Sequence, residues 1–156
     1  MNDASNANAA LVFRFFTEIG ILDQLATAEL TRGLGPDMSP SEFRVLTHFV
    51  RRDHAITPTH LAKAFQMAKP SMTAILAKLE RKGFVAIRPS TKDKRRKFVA
   101  PTPEGRAAHA AALTRVAPLM AERLADFDMS ALEELLPVLS ALRTHLDVAR
   151  NEADGL

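Results

Sequence analysis

PTHLAKAFQMAKPSMTAILAKLERKGFVAIRPSTKDKRRKFVAP, residues 58–101, decides the fold. Thr57-Pro58 is a helix start, with the hydroxyl as N-cap and Pro at the first helical position, and Ile56 can pack on Leu61 as a hydrophobic staple. The short helix LAKAF ends in a turn at Gln66-Met67-Ala68. A second helix follows over KPSMTAILAKLERKG (69–83), with Pro70 near its start, Lys and Arg in its last turn and Gly83 at the C′ position. Two β-like runs, FVAIR (84–88) and KFVAP (97–101), then flank a basic tip. The order is helix, turn, helix, β-hairpin.

That tip, Lys92-Asp93-Lys94-Arg95-Arg96-Lys97, carries five positive charges and one negative. Uncompensated charges avoid a low dielectric, so it must face either water or a polyanion. In the helix before it, Met72, Ile75, Leu76 and Leu79 fall at i, i+3, i+4 and i+7 and form a buried stripe. The opposite stripe holds Lys69, Ser71, Thr73, Ala74, Ala77, Lys78 and Arg81. A small, polar, basic face lets a helix enter a major groove closely and offer hydroxyl and ammonium groups to bases and phosphates.

Charge by segment points the same way. Between His60 and Arg106 there are twelve Lys or Arg against three acids, a net of +9, leaving nine basic and fifteen acidic residues elsewhere, a net of −6, within an overall +3. Such a polarised chain steers its middle toward an anionic partner, of which nucleic acid and an anionic membrane surface are the obvious candidates.

Outward from this segment the helix signals continue. Ser39-Pro40-Ser41-Glu42 is a capping box, with Met38 able to staple onto Phe43, and opens a helix over about 40–52. Thr102-Pro103-Glu104 and Ser130-Ala131-Leu132-Glu133 open two more, over 103–127 and 131–150, the second with a full capping box at Ser130. Leu132, Leu135, Leu136, Leu139, Leu142 and Leu146 stripe the last one. A long helix from about Ala9 to Thr31 presents Leu11, Phe15, Phe16, Ile19, Leu22, Leu25 and Leu30. Pro118 and Pro137 fall inside the terminal helices and are expected to kink or split them.

The segments SPSEFRVLTHF (39–49), MTAILAKLERKGFV (72–85) and DKRRKFVAPTPEGR (93–106), with long helices on either side, resemble the MarR family of winged helix-turn-helix regulators. The resemblance implies a mainly α fold with a small β-hairpin wing. A winged helix-turn-helix lobe over 38–101 would bind DNA, and the terminal helices, 5–32 and 103–150, would form a homodimer. It implies that Asp93-Lys94-Arg95 matches the family's Asp-x-Arg wing signature, Arg95 entering the minor groove with Asp93 holding its guanidinium. Where the family commonly has Leu-Thr before the next helix, this chain has Pro101-Thr102, which keeps the N-cap Thr. It further implies repression that a small ligand relieves, the ligand lying between the lobe and the terminal helices near Phe13, Phe16, Arg44 and His48. Arg44 and His48, one turn apart, would suit an anionic aromatic effector. Plainer roles for this pair are a surface ion pair for Arg44 and a satisfied or exposed histidine for His48.

The expected DNA contacts are therefore Lys69, Ser71, Thr73, Ala74 and Lys78 on the helix and Lys92, Asp93, Lys94, Arg95, Arg96 and Lys97 on the wing. Lys92, Lys94, Arg96 and Lys97 would touch phosphates, and Ser71, Thr73, Lys69 and Lys78 would discriminate bases. A rival with the same charges is an architectural DNA binder without sequence preference. Single-stranded RNA is a poorer partner because Trp and Tyr are absent, which leaves few stacking platforms.

Other classes fall away. There is no Gly-rich phosphate loop, nucleophile elbow or zinc-hydrolase motif, so no enzyme is expected. Zero Cys removes disulfides, thiolate chemistry and a cysteine zinc site, and suits a reducing cytoplasm. His48, His54, His60, His109 and His145 contain no metal-spaced pair, although ligands distant in sequence can converge. No cofactor is expected. The polar start, MNDASNANAA, does not read as an export signal, and no stretch approaches the ~18 apolar residues of a membrane span. A cytoplasmic location is expected.

Overall fold

The computed structural model describes residues 3–52, 54–89 and 96–153. Among these residues six helices and one hairpin follow in the order α1 (Asp3–Leu34), α2 (Pro40–Arg52), α3 (Pro58–Ala64), α4 (Lys69–Arg81), β1 (Val85–Pro89), β2 (Lys97–Pro101), α5 (Pro103–Arg123) and α6 (Met129–Ala153). The chain divides into two units, residues 1–120 and 121–156, and the boundary falls within α5. The mainly α fold with a two-stranded antiparallel wing is the one expected.

The starts of α2, α3 and α5 lie where their caps were read. Ser39 N–H donates to Glu42 Oε2 (2.7 Å) and Glu42 N–H to Ser39 Oγ (3.3 Å), a reciprocal capping box. Thr57 accepts from His60 N–H at 3.2 Å, and Thr102 from Gly105 N–H at 3.0 Å. Helix α4 ends in a Schellman motif: Gly83 takes φ 72°, its N–H bonds Glu80 O, and Phe84 N–H bonds Leu79 O, each at 2.9 Å.

Helix α3 closes in the same way, with Gln66 N–H to Lys63 O and Met67 N–H to Ala62 O, both 3.0 Å. Here the left-handed position is filled by Gln66 at φ 49°, with no glycine to announce it.

One expectation is corrected and another is narrowed. The turn into α6 is organised by Asp128, whose Oδ1 accepts from Ser130 N–H (2.9 Å) and Ser130 Oγ (2.7 Å), so Ser130 is held by the cap and is not the cap itself. These bonds lower the Asp128 pKa, the Ser130 hydroxyl contributing most. Asp and Ser are both good N-caps, and the charged oxygen two residues earlier wins the competition. Pro118 and Pro137 do not split their helices, since α5 and α6 run through them. A proline leaves one carbonyl unpaired, and both of these are on exposed helix faces where water can satisfy it.

The core of the first unit gathers Phe43, Val45, Leu46 and Phe49 of α2, Leu61 of α3, Met72, Leu76 and Leu79 of α4, Val85 and Val99 of the hairpin, Leu34 of α1, and Ala112 and Val116 of α5. The hairpin pairs Val85 with Pro101, Ile87 with Val99 and Pro89 with Lys97. Ile56, between α2 and α3, adds a bridge to the free edge of β2 through Ile56 N–H to Val99 O (3.0 Å) and Val99 N–H to Ile56 O (2.8 Å). The wing is thereby tied to the helix-turn-helix by backbone as well as by packing.

One charged group sits inside this core. Glu42 is 3% exposed, and its Oε1 accepts from Lys82 Nζ at 2.8 Å while Oε2 serves the capping box. Lys82 Nζ also donates to the Asp37 carbonyl at 2.6 Å. Burial alone would raise the Glu42 pKa, but the hydrogen bonds from Lys82 and Ser39 outweigh it and hold the carboxyl below its usual range.

Candidate nucleic-acid interface

Helix α4 turns one face inward and leaves the other free. Met72, Leu76 and Leu79 are at most 1% exposed, whereas Lys69, Ser71, Thr73, Ala74, Ala77, Lys78 and Arg81 are all exposed. The period of 3.6 residues makes this division, because apolar residues three and four apart share one stripe. The Thr73 hydroxyl donates back to Lys69 O at 2.9 Å, which leaves its oxygen to act toward a ligand as an acceptor. The helix N-terminus at Ala68 carries no side-chain cap.

Beside this face stands the hairpin. A cleft of about 540 Å³ separates them, lined by Thr73, Ala77 and Glu80 on α4, Pro58 at the start of α3, and Ile87, Pro89 and Lys97 on the strands. Arg96 and Lys97 are exposed at the foot of the wing. Helix face and wing therefore border the same surface of the lobe. Lys92, Asp93, Lys94 and Arg95 lie outside the described residues.

The four residues considered for an effector are placed less compactly. Phe13 and Phe16 are exposed on α1, by 76% and 48%. Arg44 is engaged by α1 lower down, bonding Asp23 Oδ1 at 2.7 Å and Thr27 Oγ1 at 2.6 Å. Asp23 is roughly 10 Å along the helix from Phe16 and roughly 15 Å from Phe13. His48 is half-buried, its ring 5.4 Å from that of Phe65, and its Nε2 is buried with no hydrogen-bond partner among the described residues. Desolvation, then the positive neighbours Arg52, His60, His54 and Arg51, push its pKa down. Among the described residues, no three His, Asp or Glu side chains gather as a metal site would require, and no helix is long and apolar enough to cross a membrane.

A second histidine, given no role from the sequence, joins α5 to α2. His109 is 7% exposed, stacks on Phe43 and lies 2.9 Å from Thr47 Oγ1 through its Nε2. Thr47 directs its own hydrogen at Phe43 O (2.9 Å), so hydrogen-bond economy assigns the proton of the shared bond to Nε2. Only its position on the apolar stripe of α5, level with Ala112 and Val116, hinted at burial.

Known proteins provide an independent comparison. Residues 37–96 match the model of the MarR family. The HTH-type transcriptional repressor YetL of Bacillus subtilis is 39% identical over 74 residues, which are 47% of this chain and 44% of that protein; the chain thus spans less than half the length of this curated relative. Among solved structures, apo wild-type MarR from E. coli superposes with a TM-score of 0.70 at 26% identity, over 81% of this chain and 94% of that one. BldR from Sulfolobus solfataricus gives 0.69 at 25% identity, over 90% and 99%. A point mutant of E. coli MarR complexed with operator DNA gives 0.69 at 26% identity, over 84% and 94%.

Proposed function

This chain belongs to the MarR family, and from that premise we propose that it is a transcriptional regulator that binds double-stranded DNA sequence-specifically as a homodimer. It represses in the absence of a small anionic or aromatic effector and acts in the cytoplasm. The observation that carries the reading is the free face of α4, where hydroxyl and ammonium groups stand beside the basic foot of the wing. Similarity to a structure solved with operator DNA and to a repressor supports it.

In this reading α4 enters the major groove. Its uncapped N-terminus approaches a phosphate, Lys69 and Lys78 reach phosphates or guanine edges, and Ser71 and Thr73 meet bases. The stretch Lys92–Arg95, with Arg96 and Lys97, follows the backbone into the minor groove, with Arg95 as the inserted group and Asp93 as its holder. The dimer supplies two such lobes to successive grooves, hence a pseudo-palindromic site. Residues 38–101 form the binding lobe and the terminal helices the dimer. The exposed apolar residues of α1, Leu11, Val12, Phe13, Ile21, Leu22 and Leu25, support that role.

Gel-shift titration tests this, with a duplex selected by the protein from a random-sequence pool and a scrambled duplex of the same composition. A regulator favours the selected duplex by about a thousandfold or more at fixed salt. Near-equal affinities would instead identify an architectural binder. Lys78→Ala is expected to weaken the selected duplex by about fivefold or more.

A further inference from the structure

Three junctions of the lobe meet at Lys82: the loop before α2, the capped start of α2, and the end of α4. Lys82 is the C-cap of α4, its N–H bonding the Lys78 carbonyl at 3.2 Å. Its ammonium leaves α4 and bonds both Glu42 Oε1 (2.8 Å) and Asp37 O (2.6 Å). Glu42 is nearly fully buried and has no freedom to follow a moving partner, since its second oxygen is held by Ser39 N–H. The bond therefore runs from the C-cap of α4 to a fixed point of the core, across 40 positions of sequence.

From this geometry we infer that Glu42 and Lys82 are positioning residues for DNA recognition: the pair sets the tilt of α4, and with it the placement of Ser71, Thr73 and Lys78 against base edges. The inference rests on the DNA-binding reading above. Apolar packing by Met72, Leu76 and Leu79 holds α4 to the core but is not directional and tolerates small rotations. An ammonium held between a buried carboxylate and a backbone carbonyl at the helix end is directional. Lys78 stands one turn before Lys82, so a tilt freed at Lys82 displaces the Lys78 end of the reading face first. Base contacts are lost under such a displacement, whereas phosphate contacts through long flexible cations survive it.

Two simpler roles make different predictions. If Lys82 acted only as a cation near DNA, Lys82→Met would weaken binding, but Glu42→Gln, which removes a negative charge, would tighten it on any duplex. If the pair served stability alone, both variants would melt earlier yet keep the wild-type preference once folded. Positioning predicts that both variants lose affinity for the selected duplex, by about tenfold, with the scrambled duplex little changed.

The test measures both duplexes with wild type, Glu42→Gln, Lys82→Met and Lys82→Arg, at a temperature where circular dichroism shows each folded. Lys82→Met leaves the Ser39–Glu42 capping box in place and gives a second route should Glu42→Gln fail to fold. A fallen selected-to-scrambled ratio in both, with partial recovery in Lys82→Arg, is the expected result. Retention of the wild-type ratio by folded variants, or opposite signs in the two, overturns the positioning role alone. A wild type that does not separate the duplexes overturns the functional reading, and this inference with it.

Discussion

The imidazole of His109 lies flat against the ring of Phe43, centroids 5.0 Å apart and planes 14° from parallel, so that α5 meets α2 through a titratable stack. Burial lowers the pKa of His109. In the unfolded chain an imidazole titrates near its ordinary value of about 6.5. Between the lowered folded value and that value the unfolded state binds more protons, so stability rises with pH in this window. The contribution is fully present above the ordinary value and is lost as pH falls through the folded one.

Chemical denaturation from about pH 7.5 to 5 is therefore expected to show stability declining toward acid, by at most about 1.4 kcal/mol per pH unit for each histidine involved. His109→Gln keeps a donor for Thr47 and removes the titration, so its profile should be flatter. His48, also lowered, sustains the remaining slope. An unchanged profile in His109→Gln would assign the whole dependence elsewhere.

At Gly105, α5 lies against the turn that follows α4. A Cβ at this position would stand 2.0 Å from the Phe84 carbonyl oxygen, and that oxygen already accepts from Thr102 N–H at 3.1 Å. The obstructing atom is backbone, fixed by the Schellman turn at Gly83, and cannot rotate away. Gly105→Ala should cost about 3 kcal/mol, the upper end of overpacking penalties. Urea denaturation at fixed protein concentration checks it, and a loss below about 1 kcal/mol would show that α5 can slide off the turn.

Gln66 is exposed, and its left-handed backbone is the whole of its local cost. Gln66→Gly relieves that strain but loosens the unfolded chain, leaving a net change between zero and about +1 kcal/mol. Gln66→Val places a β-branched residue where it is a genuine outlier and should destabilise by about 1 kcal/mol or more. Thermal melts of the two variants should bracket the wild type, and a Val variant as stable as the Gly one would contradict the assigned backbone.

Legibility in this chain followed the range of the interaction. Ser39, Thr57, Thr102 and Gly83 announce their helix ends because each cap acts within a few residues, and the two faces of α4 follow from spacing alone. The caps compete, however, and Ser130 lost to Asp128 by two positions. Nothing local could reveal the pairing of Glu42 with Lys82, the bridge from Ile56 to Val99, or the contact that forbids a side chain at Gly105. These join residues 21 to 43 positions apart and exist only once the helices have packed. Gln66 was hidden differently, since a residue other than Gly occupies the position that Gly would have advertised.

The face of α1 leads to the last prediction. Leu22 and Leu25 are 57% and 61% exposed in the single chain, and nothing in that state penalises a charge there. A substitution on a true surface changes stability by no more than about 0.5 kcal/mol. If the homodimer covers this face, a buried carboxylate without a partner must be desolvated on each subunit, which is far more costly than the leucine contact it replaces. Leu22→Glu is thus expected to leave helical content near wild type while shifting sedimentation from dimer toward monomer. It should also reduce binding to the selected duplex more than to a duplex bearing one half-site, since only the dimer engages both halves together. A variant that sediments and binds like the wild type would place the subunit contact elsewhere on the terminal helices.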